Sequence, residues 1–334
     1  MRTETRVAFN AYTAHLAKLN GVPSAGESFT VAPSVQQTLE KKIQESAAFL
    51  QKINMIPVTE MEGEKLGLGV SGPVASRTNT DLNDRTTRDI STLDKRGYKC
   101  AKTNYDTHIK YATLDMWAKF PNFQQLVRDQ IVTRQGLDRI TIGFHGIQVA
   151  AETDLATYPL LQDVNRGWLQ AIREDAEDQV MDHGDDPTKI VISSAGDYKN
   201  LDSLVYDAIQ MLDPWYREDP GLRAFVSRDL MHDKLFPLVD EPQDPTQKVA
   251  ANLLLQQARL GGLPPELVPY FPARTILITS YDNLSVYWQE GARRRYVKDK
   301  PERDRIENYE SSNDAYVVER YGKTVLIENI TTPA

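Results

Sequence analysis

Residues 76–97, SRTNTDLNDRTTRDISTLDKRG, carry almost no side chain able to anchor a core, yet alternating segments flank them on both sides. Upstream, Leu66, Leu68 and Val70 alternate with Gly67 and Gly69. Downstream, Tyr105, Thr107, Ile109, Tyr111 and Thr113 alternate with Asn104, Asp106, His108, Lys110 and Ala112. A period of two sends successive side chains to opposite faces of a strand. The pattern predicts two strands joined by a long polar tip, the whole spanning 56–118. A two-stranded hairpin with so little apolar surface is marginal in water on its own. It is expected either to lie on a neighbouring subunit or to be a surface loop.

The core must then come from the rest of the 334 residues, a length that can bury about three quarters of the unfolded surface. Phe9, Tyr12, Leu16 and Leu19 recur at helical spacing over 5–19, and Asn20, Gly21, Pro23 and Gly26 break that helix. A short apolar link, FTVAP, precedes a second helix after Pro33, with Ser34 and Gln37 spaced as a capping box and Val35, Leu39, Ile43, Ala47 and Leu50 as its stripe. The first ~30 residues thus read as a helical unit on a breakable linker, either a docked arm or a removable segment. A long helix is expected over 122–148, with a polar interruption around Arg134, and a further one over about 160–180 with Trp168 and Ile172 inward. From 188 onward helices (201–212, from 228, and 246–259) mix with strands (KIVISS, AFVS, TILITS, LSVYWQ, AYVVERYG, TVLIENI), and strands dominate the end. The fold class is α+β.

The charge pattern excludes more than it assigns. With a net charge of −8 the chain lacks the basic character of a dedicated nucleic-acid binder, whose affinity comes from neutralising phosphates. Cys100 is the single cysteine, which rules out an intrachain disulfide framework or a cysteine-rich zinc module. No run approaches ~18 apolar residues, so no membrane span is expected. GLGVSG at 67–72 matches a dinucleotide fingerprint literally, but Pro73 and a stripe-less segment follow where a helix should open. No histidine pair has i, i+4 spacing; His183 beside Asp182, Asp185 and Asp186 reads as a solvated helix-end loop. No cofactor is expected. A hydrolase built on the acidic clusters and a scaffold or DNA-organising protein are the rival classes, and neither has a motif, a coiled coil or a basic tail behind it.

Arg293-Arg294-Arg295 is the densest basic run; it is expected either to touch phosphate or, the reading favoured in so acidic a chain, to pair with acids of a neighbouring subunit such as Glu218 and Asp219. Arg85, Arg88 and Asp89 in the polar tip are candidates for the same kind of contact. The proline-aromatic turns PWYREDP and PPELVPYFPA are expected to fix loops by packing.

Four strings, DRIENYESSNDAYVVERYG (304–322), LLQDVNRGWLQ (160–170), PWYREDPGLRAFVSRDL (214–230) and NLSVYWQEGARRR (283–295), closely resemble one family. It is the major capsid proteins of temperate, contractile-tailed phages of the phage P-two group. The resemblance extends from RTETRVAFNAY to YVVERYG; the N-terminal arm, the 182–189 loop and the tail are shorter than the family pattern. It implies the Hong Kong ninety-seven type of capsid fold: a removable arm (1–29), the arm of the mature subunit (30–55), an extended hairpin (56–118), a peripheral domain with a spine helix (119–188), and an axial domain whose strands return to the peripheral one (189–334). It further implies self-assembly into pentamers and hexamers of an icosahedral virion shell in the host bacterial cytoplasm. The implied partners are an internal scaffold with maturation protease activity, a portal protein and packaged double-stranded DNA bound without sequence specificity. The matching trimming point lies at Phe29-Thr30, within the breakable linker. Catalysis is not implied.

Overall fold

A computed structural model of the chain describes residues 1–64, 68–69, 75–82, 84–87, 92–93, 97–117, 123–240 and 259–332. The fingerprint-like GLGVSG, apart from Leu68 and Gly69, and the helix expected over 246–259, apart from Arg259, lie outside the described residues.

Two helices open the chain, α1 (Thr3–Asn20) and α2 (Pro33–Glu45), separated by the short strand β1 (Phe29–Thr30). Gly21 closes α1 in the left-handed region (φ 64°), the role for which glycine alone carries no steric cost. At the start of α2, Pro33 takes the first helical position, where its missing N–H costs nothing. The capping box expected from Ser34 and Gln37 does not form: Ala32 is the N-cap, and no side chain caps the helix. Then come β2 (Asn54–Val58), β3 (Glu62–Glu64), β4 (Leu68–Gly69), β5 (Thr92–Leu93), β6 (Gly97–Lys99), β7 (Ala101–Asn104), β8 (Thr107–Lys110) and α3 (Tyr111–Trp117).

The hairpin exists, but with different strands. Its ladders pair β3 with β6 and β4 with β5. The alternating run at 104–113 instead splits between β7 and β8, which both join a later strand, and turns helical at Tyr111. Alternation marks a half-buried strand but cannot name its partner, and here the partner lies about two hundred residues away in the chain.

The long helix α4 (Phe123–His145) follows. Gly143 lets it approach the next helix, α5 (Trp168–Asp175): a Cβ there would sit 2.2 Å from the Trp168 ring. Only α5 survives of the helix expected over 160–180. Leu161 adopts φ 60°, and 158–167 run as hydrogen-bonded turns that carry the chain back over the end of α4. Gly146 donates to the carbonyl of Ile142 and Gly167 to that of Gly146, closing this corner.

The remaining elements are β9 (Val180–Met181), β10 (Ile190–Val191), α6 (Leu201–Ala208), β11 (Arg223–Val226), α7 (Arg228–Asp240), β12 (Pro265–Glu266), β13 (Ile276–Thr279), β14 (Leu284–Gln289), β15 (Arg294–Lys300), β16 (Arg305–Val318), β17 (Val325–Ile327) and β18 (Ile330–Thr331). Asn200 and Ser203 form a reciprocal capping box at the start of α6.

Two sheets organise the molecule. In one, of order β12-β11-β13-β17-β9, side chains alternate between two separate cores. Ala224, Val226, Ile276, Ile278, Val325 and Ile327 face a core shared with α6, α7 and β10. Phe225, Leu277 and Leu326 face a core shared with α2, α4, α5 and the second sheet. A strand buried on both faces reads as an unbroken apolar run, which is why TILITS and TVLI look alike in the sequence. The second sheet, of order β1-β15-β16-β14-β2, is built around the fourteen-residue β16, with β7 and β8 also paired to it. The core between the sheets is aromatic: Phe144 packs on Phe49, Trp168 and Phe271, and the Trp168 indole donates to the Ser285 carbonyl at 2.9 Å.

Candidate functional site

Among the described residues no side-chain constellation suited to catalysis emerges. Among the described residues no group of His, Cys, Asp and Glu is arranged to hold a metal ion, and no helix is long and apolar enough to cross a membrane. Cys100 is buried, and burial together with Asp314 pushes its thiol up to about 12, far from a reactive thiolate. His183 sits exposed against Asp182 at 2.6 Å.

The most concentrated polar chemistry is a closed ionic cluster where α2, α4 and the second sheet meet. Arg139 of α4 reaches Glu40 of α2 at 2.5 Å and Asp314 of β16 at 3.1 Å. Arg293, just before β15, reaches the same Glu40 at 2.6 Å and Glu310 at 2.6 Å. Gln135, one helical turn before Arg139, accepts from Arg293 and donates to Glu310. Tyr105 and Ser312 donate to Asp314. Both guanidiniums are 0 % exposed. Burial alone would raise the Glu40 carboxyl, but the Arg139 and Arg293 guanidiniums outweigh it and hold it below its ordinary value. Glu310 is held low in the same way, burial being outweighed by Arg293 and Arg295. Such a cluster does not gain stability over an apolar core of equal volume, but its geometry fixes how three elements meet, since any other arrangement strands a charge.

Arg293, expected to pair with a neighbouring subunit, is instead buried and paired with Glu40 and Glu310 inside its own subunit. Arg295, half-buried, donates to Asn308 and to the Tyr12 hydroxyl of α1. Arg294 is exposed, as are Arg85 in the hairpin tip and Glu218. Asp219 pairs within the chain with Lys323 at 2.7 Å, and that ammonium holds its carboxyl below the ordinary range. Arg88 and Asp89 lie outside the described residues. Of the six described contact candidates, the structure gathers Arg293 with Glu40 and Glu310. Sequence reading missed Glu40, Gln135 and Arg139. The available signal was that Gln36 and Glu40 precede Ile43 at helical spacing on the buried side of α2.

Phe29 and Thr30 form β1, an edge strand paired to Arg295 and Arg294 of β15. The Phe29 ring is buried among Leu16, Val31, Tyr111, Leu114, Val297 and Ile306. Over it lies α1, held by polar contacts: Thr5 donates to Asp115 at 2.6 Å, while Arg6 and the Tyr111 hydroxyl both engage Asp299.

Elsewhere the surface offers unused contact groups. Residues 75–82 and 84–87 of the hairpin tip are exposed except for Thr78, and Leu82 is 78 % exposed. The base of the hairpin packs on its own subunit, where Tyr98 meets Tyr287 edge-on with ring centroids 5.0 Å apart. Trp215, expected to fix its turn by packing, is 60 % exposed and meets the Tyr216 ring edge-on.

Comparison with known proteins gives this arrangement its setting. Residues 8–330 match the family described as phage major capsid protein, P2 family. The chain is 45% identical to the capsid protein of Escherichia phage P2 over 100% of its own length and 98% of the relative's. It is 39% identical to the major capsid protein of Serratia phage KSP20 over 99% and 98%. Among solved structures, a chain of the satellite phage P4 procapsid that includes a size determination protein superposes with TM-score 0.82 at 43% identity, covering 100% of this chain and 99% of that one. The capsid of an empty GTA particle shares only the fold, with TM-score 0.51 at 14% identity over 86% and 90%. The described architecture is that of phage capsid subunits of the Hong Kong ninety-seven type, and the chain belongs to the P2 family of phage major capsid proteins, which are structural components of the virion shell and not enzymes.

Proposed function

We propose that the subunit assembles into the pentamers and hexamers of an icosahedral shell around packaged double-stranded DNA, and that its N-terminus is trimmed at Phe29–Thr30 during maturation. The observation that carries the reading is the hairpin. Its described tip residues are mostly polar and nearly all exposed, Leu82 among them. An isolated two-stranded element of this kind is marginal, so it gains its place by lying on a neighbour. Trp215 supports the same reading, because tryptophan, tyrosine and arginine are the residues that most often anchor protein interfaces. The net charge of −8 suits an inner surface that must hold DNA without adhering to it.

In this account an internal scaffold carrying the maturation protease guides assembly in the host bacterial cytoplasm, and a portal protein admits the DNA. The arm 1–29, mature arm 30–55, hairpin 56–118, peripheral 119–188 and axial 189–334 divisions are the working units. The test is deletion of 76–97 with co-expression of the scaffold. A soluble, folded subunit that forms no closed shells is the expected result; normal closed particles from the deleted chain would overturn the role given to the hairpin.

A further inference from the structure

We infer that residues 1–28 are a latch: α1 and its link to β1, together with the pairing of β1 to β15, hold the Phe29–Thr30 bond out of reach of any protease until the whole segment lifts off the sheet. The inference rests on the trimming reading for its biological use, but the geometry stands by itself. A protease takes its substrate as an extended strand, with side chains seated in pockets alongside it. Phe29 has the extended backbone, yet the residue is only 7 % exposed and its backbone is engaged to β15. Hydrogen bonds flank the bond on both sides: Ala25 accepts from the Val297 amide at 3.1 Å, and the Val31 amide donates to the Arg293 carbonyl at 2.9 Å. Asn20, at the end of α1, accepts from the Ala32 amide at 3.1 Å, so helix and strand are tied together.

The other end of the segment is held by two carboxylates on separate elements. Asp115 of α3 accepts from the Arg2 amide and the Thr5 hydroxyl and lies 3.8 Å from the N-terminal amine. Asp299 of β15 receives Arg6 and Tyr111. Pulling Phe29 into a protease pocket therefore requires breaking the β1–β15 pairing and sliding α1 from the same apolar face. That is a concerted opening of one unit, and cleavage proceeds at a rate set by the fraction open. The clamps are exposed enough to be loosened: the Arg6 and Asp299 side chains are 43% and 23% accessible.

The experiment is limited chymotrypsin digestion of the full chain, with release of the 1–29 fragment followed by mass spectrometry. Cutting after the exposed Trp215 serves as internal reference. The latch predicts that wild type is cut after Trp215 well before Phe29. It also predicts that the double variant Thr5→Val, Arg6→Met is cut after Phe29 about tenfold faster, with the Trp215 rate unchanged. Cutting at Phe29 as fast as at Trp215 in wild type, or an unchanged ratio in a folded variant, would overturn it. Should the variant not fold, amide exchange in wild type decides. The Val31 and Val297 amides are protected relative to a free peptide if the latch exists and exchange at the free-peptide rate if it does not. Mature chains that begin elsewhere than Thr30, with the bond still protected, would remove the trimming reading and leave the latch. Mature chains that begin at Thr30, with an unprotected bond, would do the reverse.

Discussion

Arginine on carboxylate holds two places in this molecule, and the two are built to opposite ends. At the junction of α2, α4 and β16, Arg139 and Asp314 are both 0% accessible, and every charge there has a partner from another element. Under α1, Arg6 and Asp299 are 43% and 23% accessible and tie a single helix to the sheet. The same chemistry in a dry site fixes one geometry, because losing a partner leaves a buried charge uncompensated. At a wet site the exchange with water is nearly even, and the contact can be given up. The difference separates what must persist in the subunit from what can be shed.

The largest expected effect falls on the dry site. Arg139→Met removes one cation and leaves Glu40 and Asp314 facing each other across it, at a cost of about 3–5 kcal/mol in urea unfolding of the soluble subunit. A loss below about 1 kcal/mol would mean that the junction is wetter than the structure shows.

An intermediate effect is set by pH. Glu40 and Glu310 are held below the ordinary 4.5, so as pH drops the unfolded chain binds protons there before the folded one does. Their contribution is fully present above about 4.5 and is lost as pH falls through their folded values. Thermal melts between about pH 6 and pH 3 should be flat at first and then fall, and Glu310→Gln should flatten that fall. A fall already under way at pH 6 would point to histidine and contradict this assignment.

The smallest global effect belongs to the clamp. Arg6→Met should lower Tm by no more than about 2 °C. Added salt should nonetheless speed amide exchange in the arm and leave the α4 amides near Arg139 unmoved, because only exposed pairs are screened. Equal acceleration at both places would erase the distinction between them.

What was legible beforehand follows from where the determinants sit. Gly21 and Pro33 punctuate α1 and α2 locally, and those helices fall close to where the spacing places them. The long α4 is strongly periodic and equally plain. The partner of the 104–113 run was not legible, because β16 lies far along the chain and alternation carries no address. The inward pairing of Arg293 was not legible for a related reason. In a run of three arginines nothing local says that one points inward, and only Glu40, Gln135 and Glu310, drawn from three distant segments, reveal it. Trp215 looked like a packing residue because a proline-aromatic turn usually is one; its exposure becomes intelligible once a second subunit is part of the picture.

The most direct test of the whole account is cryo-electron microscopy of particles from the chain co-expressed with its scaffold, paired with intact-mass measurement of the subunit. The account predicts closed shells in which the hairpin lies on a neighbouring subunit, the Arg139–Glu40–Arg293 junction is intact, and mature chains begin at Thr30. Shells whose hairpin tips stay in solvent, with α1 still seated over Phe29 in DNA-filled particles, would contradict it.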